Sequence, residues 1–403
     1  MAGPLAGLKI LDLGWIMAGP LAARYLTDNG AETIKVESSQ RRDPLRSLGP
    51  HKDGKPGNNR SIAYHWINAG KRSIDIDIKS ARGLELVKRL AAQADILLES
   101  FTPGAIDKMG LGYEVLSSVN PRLIMVSSGI LGRKGTMGMG TSGQGQTGAA
   151  FSGATYLMGW PDSPPSGPAG PWTDACAPRY AALAILAAVH RREETGQGCH
   201  IDISQAEAGL QFLQPAFMEF AANGKVPERR GTATSKWRAP CSAYRCKGPD
   251  PWVVIDAPGD LEWQALRTII GGSLLDQRYS TLVGRLRNAD GLNRAIENWT
   301  SDKLNHDIET SLQAAGVPAH VISTDADLAH DPDLEASDYL SRVADPVIGE
   351  IWLAGSQFTL EPSSRPGLRP GPGIGASTDA ILAGELGLTP HEIAVLRQDR
   401  IIG

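Results

Sequence analysis

The sequence predicts an α/β protein of two domains, in which a parallel sheet is covered by helices. Strand-like and helix-like segments alternate over residues 8–129, which is typical of parallel strands joined by helical crossovers. The chain has 403 residues, more than one hydrophobic core usually serves. Its 41% hydrophobic and 21% charged residues are ordinary for a soluble globular protein.

The elements of the first part follow from hydrophobic periodicity and from helix start and stop signals. The predicted strands are 8–14, 32–38, 73–79, 94–100 and 121–129. Residues 18–30 have helical spacing, with Pro20 early and Gly30 at the end. A second helix is predicted at 80–93, with Ser80 as its N-cap. The strict alternation of 73–79, SIDIDIK, indicates a half-buried strand.

A glycine-rich segment, residues 136–170, interrupts this pattern and predicts an active-site loop, because a linker inside a compact domain is unusual. A helix is predicted next, at about 175–194, and it ends at TGQG. The strand CHIDIS (199–204) and the helix QAEAGLQFLQPAF follow it. Residues 225 to about 325 look separate, with a strand at 252–257 and helical segments after it. The chain closes on a short capped helix.

Several classes of function are not expected from this composition. The net charge of −4 gives no reason to expect nucleic acid or anionic membranes as partners. No apolar run approaches the roughly 20 residues that span a bilayer, and the first residues lack signal-peptide features, so we expect a cytoplasmic protein. No HxH, HExxH or CxxC pattern occurs, so we expect no metal.

A dinucleotide site is also not expected, although Glu37 ends the second strand where a ribose-binding acid would lie. The turn after the first strand reads GWIMAGP and lacks the glycines of GxGxxG. Without those glycines a pyrophosphate has no turn that it can approach closely.

Asp174, in PWTDACAPRY, raises the main question about chemistry. Asp is a favoured N-cap, which would explain its place before a long apolar run. An ionised carboxylate behind glycine-rich loops is equally a usable nucleophile toward an activated acyl group. The local sequence leaves both interpretations open. Cys176, two residues on, is either a reactive thiol or a small buried hydrophobe.

Four segments, in order along the whole chain, resemble the family III CoA-transferases. Residues 8–37, with AGP and IKVE, are similar to the family's opening strand, turn and second strand. Residues 70–124 resemble its next block almost without gaps, and 316–334 resemble its closing segment. Residues 172–208 are similar to the block that carries the catalytic aspartate, which makes Asp174 the implied nucleophile.

The resemblance implies a ping-pong exchange in which CoA is held as a thioester on Asp174. It implies no permanently bound cofactor and no metal, with coenzyme A entering as the acyl-CoA co-substrate and a carboxylic acid as the second substrate. It also implies a Rossmann-like sheet in the large domain and a smaller α+β domain. The implied boundaries are 1–224 for the large domain, 225–325 for the small domain and 326–403 for a segment that returns to the large one.

The family forms interlaced, ring-like dimers, so the resemblance implies a partner chain. That partner is either a second copy, in a homodimer, or a related subunit, in a heteromer.

The resemblance also implies a set of residues that contact CoA. They are Met17 and Ala18, in the turn that approaches the pantetheine; Ile76 and Lys79, near adenine and phosphate; Ser100, Phe101 and Thr102, where the family usually has Asn-Phe; and Lys108, at a position that often faces phosphate. Ser100 replaces the asparagine, which removes one expected hydrogen bond. Ser38 lies where some members carry arginine, so we expect Arg41, Arg42 or Arg46 to substitute.

Departures from the family pattern bear on the substrate. Met17 replaces a polar residue of the oxalate-handling members, and Trp15 precedes it. Their glycine-rich loop corresponds to residues 231–240, which contain Trp237, and Trp172 adjoins the nucleophile. This pattern indicates a larger, partly apolar acyl pocket for a bulky or aromatic acid, with succinyl-CoA as a plausible donor. Packing of these tryptophans in the core is the alternative.

Two other functions remain open from the sequence. An α-methylacyl-CoA racemase uses an aspartate at this position with a histidine in a GHDINY-like stretch, and residues 140–149, GTSGQGQTGA, contain no histidine. A CoA-binding subunit of a heteromeric transferase is the other alternative.

Overall fold

The computed structural model describes residues 3–232, 237–337, 339–361 and 367–403, so the predicted loop 231–240 lies partly outside the described residues. The chain separates into two compact units. The larger unit comprises Met1–Thr155, Gly167–Val226 and Pro332–Gly403. The smaller unit comprises Tyr156–Ser166 and Pro227–Asp331.

The larger unit is built on a six-stranded sheet in which every described pairing is parallel. Its strands are β1 Lys9–Asp12, β2 Glu32–Glu37, β3 Arg72–Asp75, β4 Ile96–Glu99, β5 Ile124–Gly129 and β6 Cys199–Ser204. Their order across the sheet is β3-β2-β1-β4-β5-β6. This doubly wound order confirms the predicted α/β class with a Rossmann-like sheet.

Three strands of the described chain form a sheet in the smaller unit, and two more form a hairpin in the larger one. They are β7 Cys241–Arg245, β8 Trp252–Asp256 and β9 Ala319–Val321, then β10 Leu340–Asp345 and β11 Gly349–Ala354. The first three form an antiparallel sheet in the order β7-β8-β9. Trp263, from a helix of this unit, is fully buried in its core.

The α-helices of both units are numbered in chain order. They are α1 Ala18–Thr27, α2 Ile62–Ile67, α3 Ala81–Gln93, α4 Ala105–Lys108, α5 Tyr113–Val119, α6 Gly145–Phe151, α7 Ala154–Leu157, α8 Trp172–Thr195, α9 Gln205–Leu210, α10 Gln214–Asn223, α11 Asp260–Ile270, α12 Leu282–Arg287, α13 Ala289–Thr300, α14 Asn305–Ala314, α15 Asp325–Leu328, α16 Pro332–Ala336, α17 Thr378–Gly384 and α18 Pro390–Gln398. No helix of the described residues is long and apolar enough to cross a membrane.

The helix ends confirm the capping signals read from the sequence. Ser80 caps α3, accepting a hydrogen bond from the Gly83 N–H. Gly196 ends α8 in the left-handed region, with a φ of 70°. Thr389 and Glu392 form a capping box at the start of α18. These ends depend on neighbours within four residues, which is why the sequence predicts them.

Two predicted elements differ from the structure. The strand predicted at 73–79 ends at Asp75, and its last three residues are all buried, because α17 packs against β3. The single helix predicted from residue 205 is broken into α9, one 3₁₀ turn and α10. Pro215 explains this break, since it has no N–H to donate to the carbonyl four residues earlier.

Candidate active site

The candidate site lies at the carboxyl edge of the six-stranded sheet. Parallel strands place their carboxyl ends together, and ligands of open α/β sheets bind at this edge. Helix α8 packs against β5 and β6 and leads back into β6, which pairs in parallel with β5. The amino end of α8, with Asp174, therefore lies at the same edge as the turns after β1, β3 and β4.

The turn after β1 is held by hydrogen bonds from two neighbouring segments. The Trp15 N–H donates to Ser100 Oγ at 2.9 Å, and the Ile16 N–H donates to Asp43 Oδ1 at 3.0 Å. Ile16 has a φ of 62°, which is rare for a β-branched residue and is costly without such support. Met17 follows as the N-cap residue of α1. The hydroxyl of Ser100, at the position where asparagine was expected, therefore bonds to the turn itself.

A network of buried charges lies beneath this turn. Lys71 Nζ donates to Asp12 Oδ2 at 2.7 Å, and Asp12 Oδ1 accepts from the Gly14 N–H at 2.9 Å. The Lys35 ammonium lies 3.2 Å from the Asp43 carboxylate. Burial alone would raise the pKa of Asp12, but the charges of Lys71 and Lys35 outweigh it and the pKa lies below its ordinary value. Burial lowers the pKa of Lys71 to about 8. The attraction of Asp12 acts in the opposite direction, but the like charge of Lys35 offsets part of that attraction.

A cavity of about 400 Å³ opens beside the same turn. The implied CoA-contacting residues that line it are Ile76, Lys79, Phe101, Thr102 and Lys108. Met17, Ala18 and Ser100 are not among its lining residues. Trp15 lines the cavity too, with its ring edge-on to Phe101 at a centroid distance of 5.8 Å. Residues from four separate segments of the chain therefore share one cavity.

The three arginines that were expected to substitute for a cation at position 38 have different surroundings in the structure. Arg41 lines the cavity, with its guanidinium carbon 5.1 Å from the centre of the Trp15 ring. Arg42 donates to Asn58 Oδ1 at 2.8 Å. Arg46 is fully buried and donates to both carboxylate oxygens of Glu37, at 2.8 and 2.6 Å. The buried ion pair makes Arg46 unsuitable as a ligand for a soluble substrate.

The same pair gives Glu37, which ends the second strand where a ribose-binding acid would lie, a structural role. Its carboxylate also accepts from Tyr64 Oη at 2.7 Å and from Ser73 Oγ at 3.1 Å. Burial is outweighed by the Arg46 hydrogen bonds and charge, so the pKa of Glu37 lies below its ordinary value. Glu37 is a structural anion of the core.

Asp174 lies within the first turn of α8, three residues after its N-cap, Pro171, so its interpretation as the cap is wrong. The helix begins at Trp172, earlier than the predicted start. Asp174 as a residue is 8% exposed, and its Oδ2 accepts a hydrogen bond from the Gly145 N–H at 3.1 Å. Burial raises the pKa of Asp174 to about 6, opposed in part by the Gly145 bond.

Gly145 is a site residue that the sequence did not predict. It lies 29 positions before Asp174, in a segment whose glycines indicate only irregular backbone. A Cβ built on Gly145 would lie 2.7 Å from the Pro171 Cα, so only glycine brings this peptide so close to the start of α8. No local pattern of residues marks such a close approach between two distant segments.

Trp172 and Cys176 flank Asp174 in the sequence, and the structure distinguishes the alternatives left open for the tryptophans and for the thiol. The Trp172 ring lies edge-on to Phe212, at a centroid distance of 5.7 Å, and Phe212 is 52% exposed. Cys176 is buried, which raises the pKa of its thiol, so the buried-hydrophobe interpretation fits better than the reactive one. Trp237 is 81% exposed, so the alternative that the tryptophans pack in the core is wrong for this residue.

Comparisons with known proteins agree on one family. The sequence model of CoA-transferase family III matches residues 5–378. The succinyl-CoA–D-citramalate CoA-transferase of Chloroflexus aurantiacus is 32% identical over 407 residues, covering 99% of this chain and 98% of that protein. The acetyl-CoA:oxalate CoA-transferase of Acetobacter aceti is 32% identical over 372 residues, covering 92% of each chain.

A solved structure agrees with the sequence comparisons. The crystal structure of a CAIB/BAIF family protein from Brucella suis superposes with a TM-score of 0.87, at 30% identity, over 96% of this chain and all of that one. The likeness therefore covers nearly the whole chain.

Proposed function

Because the chain belongs to CoA-transferase family III, we propose that it moves CoA from an acyl-CoA donor to a carboxylic acid through a thioester on Asp174. The state of the Asp174 carboxylate carries this proposal. It is buried, it has no cationic partner within the described residues, and only one of its oxygens accepts a hydrogen bond there. A poorly solvated carboxylate with a free oxygen is suited to attack an activated acyl group.

The exchange proceeds in two halves. In the first half, Asp174 attacks the thioester carbonyl of the donor, which gives an enzyme-acyl anhydride and CoA thiolate. The thiolate attacks the aspartyl carbonyl and expels the donor acid, leaving CoA as a thioester on the enzyme. In the second half, the acceptor carboxylate displaces the thiolate, and the thiolate then attacks the acceptor carbonyl. The new acyl-CoA leaves, and Asp174 is a carboxylate again.

The cavity beside the turn after β1 is the proposed site for the nucleotide part of CoA. Three cations reach it, Arg41, Lys79 and Lys108, which suits the phosphates of CoA. Ile76 and Phe101 supply the apolar surface for adenine. Met17, the N-cap residue of α1, and Ala18, the first residue of that helix, are proposed to approach the pantetheine.

The two acids are proposed from the surroundings of Asp174 and from the relatives. Succinyl-CoA is the proposed donor, since a relative that covers nearly the whole chain is named for it. A bulky or aromatic acid is the proposed acceptor, supported by Trp172, two positions before the nucleophile, and by its ring contact with the exposed Phe212. Acetyl-CoA is the donor to compare, because another relative is named for it.

A second chain is proposed to complete the enzyme, as a copy or a related subunit in an interlaced dimer. Helix α10 and the turn before it expose large apolar side chains, each more than half accessible: Phe212, Phe217, Met218 and Phe220. Exposed apolar groups in such density are typical of interaction surfaces.

Borohydride trapping tests the proposed covalent thioester. The enzyme is incubated with succinyl-CoA or acetyl-CoA, quenched with borohydride and digested. A thioester at Asp174 is reduced to an alcohol, so the peptide containing PWTDACAPRY is expected to carry homoserine at position 174 after incubation with the true donor. Asp174→Asn is the control and is expected to give no homoserine.

Absence of homoserine with every donor, while acyl-CoA still binds, would overturn the transferase mechanism. The result would then favour a racemase or a silent subunit, and deuterium exchange at the α-carbon of the acyl group separates these two.

A further inference from the structure

The two oxygens of the Asp174 carboxylate have different surroundings. Oδ2 accepts the Gly145 N–H at 3.1 Å. Oδ1 has no hydrogen-bond partner among the described residues. It is also not one of their fully buried, unpartnered polar atoms, so it keeps some solvent-accessible surface. One oxygen is therefore held by the protein, and the other is open to an incoming group.

Both backbone polar groups of Gly145 are held by hydrogen bonds. Its N–H donates to Asp174, and its carbonyl accepts from Thr173 Oγ1 at 3.2 Å. Contact with Pro171 leaves no room for a Cβ at Gly145. Thr173 itself is fully buried, so this peptide is held against the first turn of α8 by packing as well as by hydrogen bonds.

We propose that the Gly145 N–H is a catalytic donor that holds the same oxygen, Oδ2, throughout the exchange, so that Oδ1 is the nucleophile in every turnover. This inference rests on the proposed function and deepens it. The same N–H stabilises the oxyanion that forms on Oδ2 whenever the aspartyl carbon becomes tetrahedral.

The assignment fixes the path of each oxygen atom. Oδ1 attacks the donor carbonyl, its electron pair forms the new C–O bond, and the C–S bond breaks to release CoA thiolate. The thiolate then adds to the aspartyl carbon, the C=O pair moves onto Oδ2, and its return expels the donor acid with Oδ1 as part of that acid. The enzyme is left with a thioester whose carbonyl oxygen is Oδ2.

The second half replaces the lost oxygen. An acceptor carboxylate oxygen adds to the aspartyl carbon, the charge again rests on Oδ2, and CoA thiolate leaves. The thiolate attacks the acceptor carbonyl and releases Asp174, which keeps the bridging oxygen of the acceptor. Each turnover therefore exchanges one oxygen of Asp174, while Oδ2 is retained indefinitely.

Isotope labelling tests this prediction directly. The enzyme turns over many times with an acceptor acid labelled with oxygen-18 at both carboxylate oxygens, in unlabelled water, until new acyl-CoA has accumulated. The peptide containing Asp174 is then weighed. One heavy oxygen is expected in enzyme that carries a free Asp174 carboxylate. A thioester left at the quench would take a light oxygen from water at the Oδ1 position, so borohydride is added first to convert that fraction into homoserine, and only the remaining aspartate is scored.

The other outcomes separate the two levels of the proposal. Two heavy oxygens would show that the carboxylate rotates between cycles, so that its two oxygens exchange places. That result would overturn the role of Gly145 and leave the thioester route intact. No label in the aspartate fraction, together with no homoserine at position 174, in a sample that has formed product would overturn the covalent route through Asp174 itself.

A matched pair of backbone variants tests the donor. Gly145→glycolic acid replaces the N–H by an ester oxygen with little change of shape. Gly148→glycolic acid makes the same change three residues on, where the N–H donates to the Gln144 carbonyl at 3.1 Å. The change at 145 is expected to lower kcat by about 10²–10³-fold, the usual loss for one oxyanion donor, and to allow a second heavy oxygen.

The change at 148 is expected to leave single labelling intact. Equal kcat values and single labelling in both variants would overturn the proposal. The labelling of the unmodified enzyme decides the question even if the variant at 145 does not fold.

Discussion

The end of β1 and the first turn of α8 each bury an aspartate at the carboxyl edge of one sheet, and the surroundings of the two carboxylates affect their charge in opposite ways. Asp12 is surrounded by cations, with Lys71 Nζ at 2.7 Å and the charge of Lys35 nearby. Asp174 has the Gly145 N–H and no cation within the described residues. The pKa of Asp12 accordingly lies below its ordinary value, whereas burial raises that of Asp174 to about 6.

The difference distinguishes a structural acid from a reactive one. A carboxylate that is paired with cations is stabilised as an anion, and its electron pairs are engaged. A buried carboxylate without a cation is less stable as an anion and gains more by forming a bond to carbon. The network around Asp12 holds the turn that borders the cavity, while Asp174 carries the proposed chemistry.

Removing the cation from Asp12 is expected to have the largest effect on stability. Lys71→Met leaves a buried carboxylate with one partner fewer, and breaking a buried pair typically costs about 3–5 kcal/mol. The measurement is urea unfolding at one protein concentration and neutral pH. Lys225→Met removes an exposed lysine and is the control, with an expected change below about 0.5 kcal/mol.

The double variant Asp12→Asn/Lys71→Met sharpens this test. It removes the uncompensated charge, so it is expected to be more stable than Lys71→Met alone. A double variant that is less stable by the sum of the two single losses would show that the charges do not interact.

Neutralising Asp174 is expected to stabilise the protein, by a smaller amount and only at high pH. The folded-state pKa of about 6 exceeds the ordinary value of 3.8, so the folded protein binds the proton more tightly than the unfolded chain. The ionised carboxylate therefore costs stability above pH 6, and this cost disappears as the pH falls through the interval to 3.8. Asp174→Asn is expected to raise the free energy of unfolding by up to about 3 kcal/mol at pH 8 and to leave it unchanged near pH 3.8. The same substitution is expected to abolish CoA transfer.

Asp12→Asn is the counterpart, because the pKa of Asp12 is shifted the other way. It is expected to lose stability at pH 8, and the loss should shrink as the acid is protonated below its ordinary pKa. Unfolding curves of both variants at pH 8 and near pH 3.8, with a further point for Asp12→Asn below pH 3.8, measure the contrast. A loss of stability in Asp174→Asn at pH 8 would contradict the description of this acid as unpaired.

The smallest effect is expected from a substitution in the cavity beside the turn after β1. Arg41→Ala removes a cation that lines the cavity and is expected to raise the KM for acyl-CoA about tenfold, or about 1.4 kcal/mol, with little change in kcat. Arg42→Ala is the matched control, since its guanidinium bonds Asn58, and a change below about twofold is expected. Initial rates at low and high salt measure the difference, which should narrow as salt screens the phosphates. Equal effects of the two substitutions would remove Arg41 from the proposed site.

The sequence by itself determined the parallel α/β architecture and the helix ends at Ser80 and Gly196, because periodicity and caps act over a few residues. It also brought attention to Asp174 and to the cavity residues Ile76 and Lys79, through motifs that run in order along the chain. It could not show that Glu37 is held by Arg46, since both remain plausible ligands when only their types are known.

Only the tertiary structure decided which oxygen of Asp174 is held and which of the neighbouring arginines reaches the cavity. The Gly145 N–H reaches Asp174 across 29 positions, and Lys71 reaches Asp12 across 59. Such contacts depend on how whole helices and strands pack, with distances set to a fraction of an ångström. Residue types along one segment carry no record of these distances, because the same aspartate, glycine and lysine satisfy many other packings.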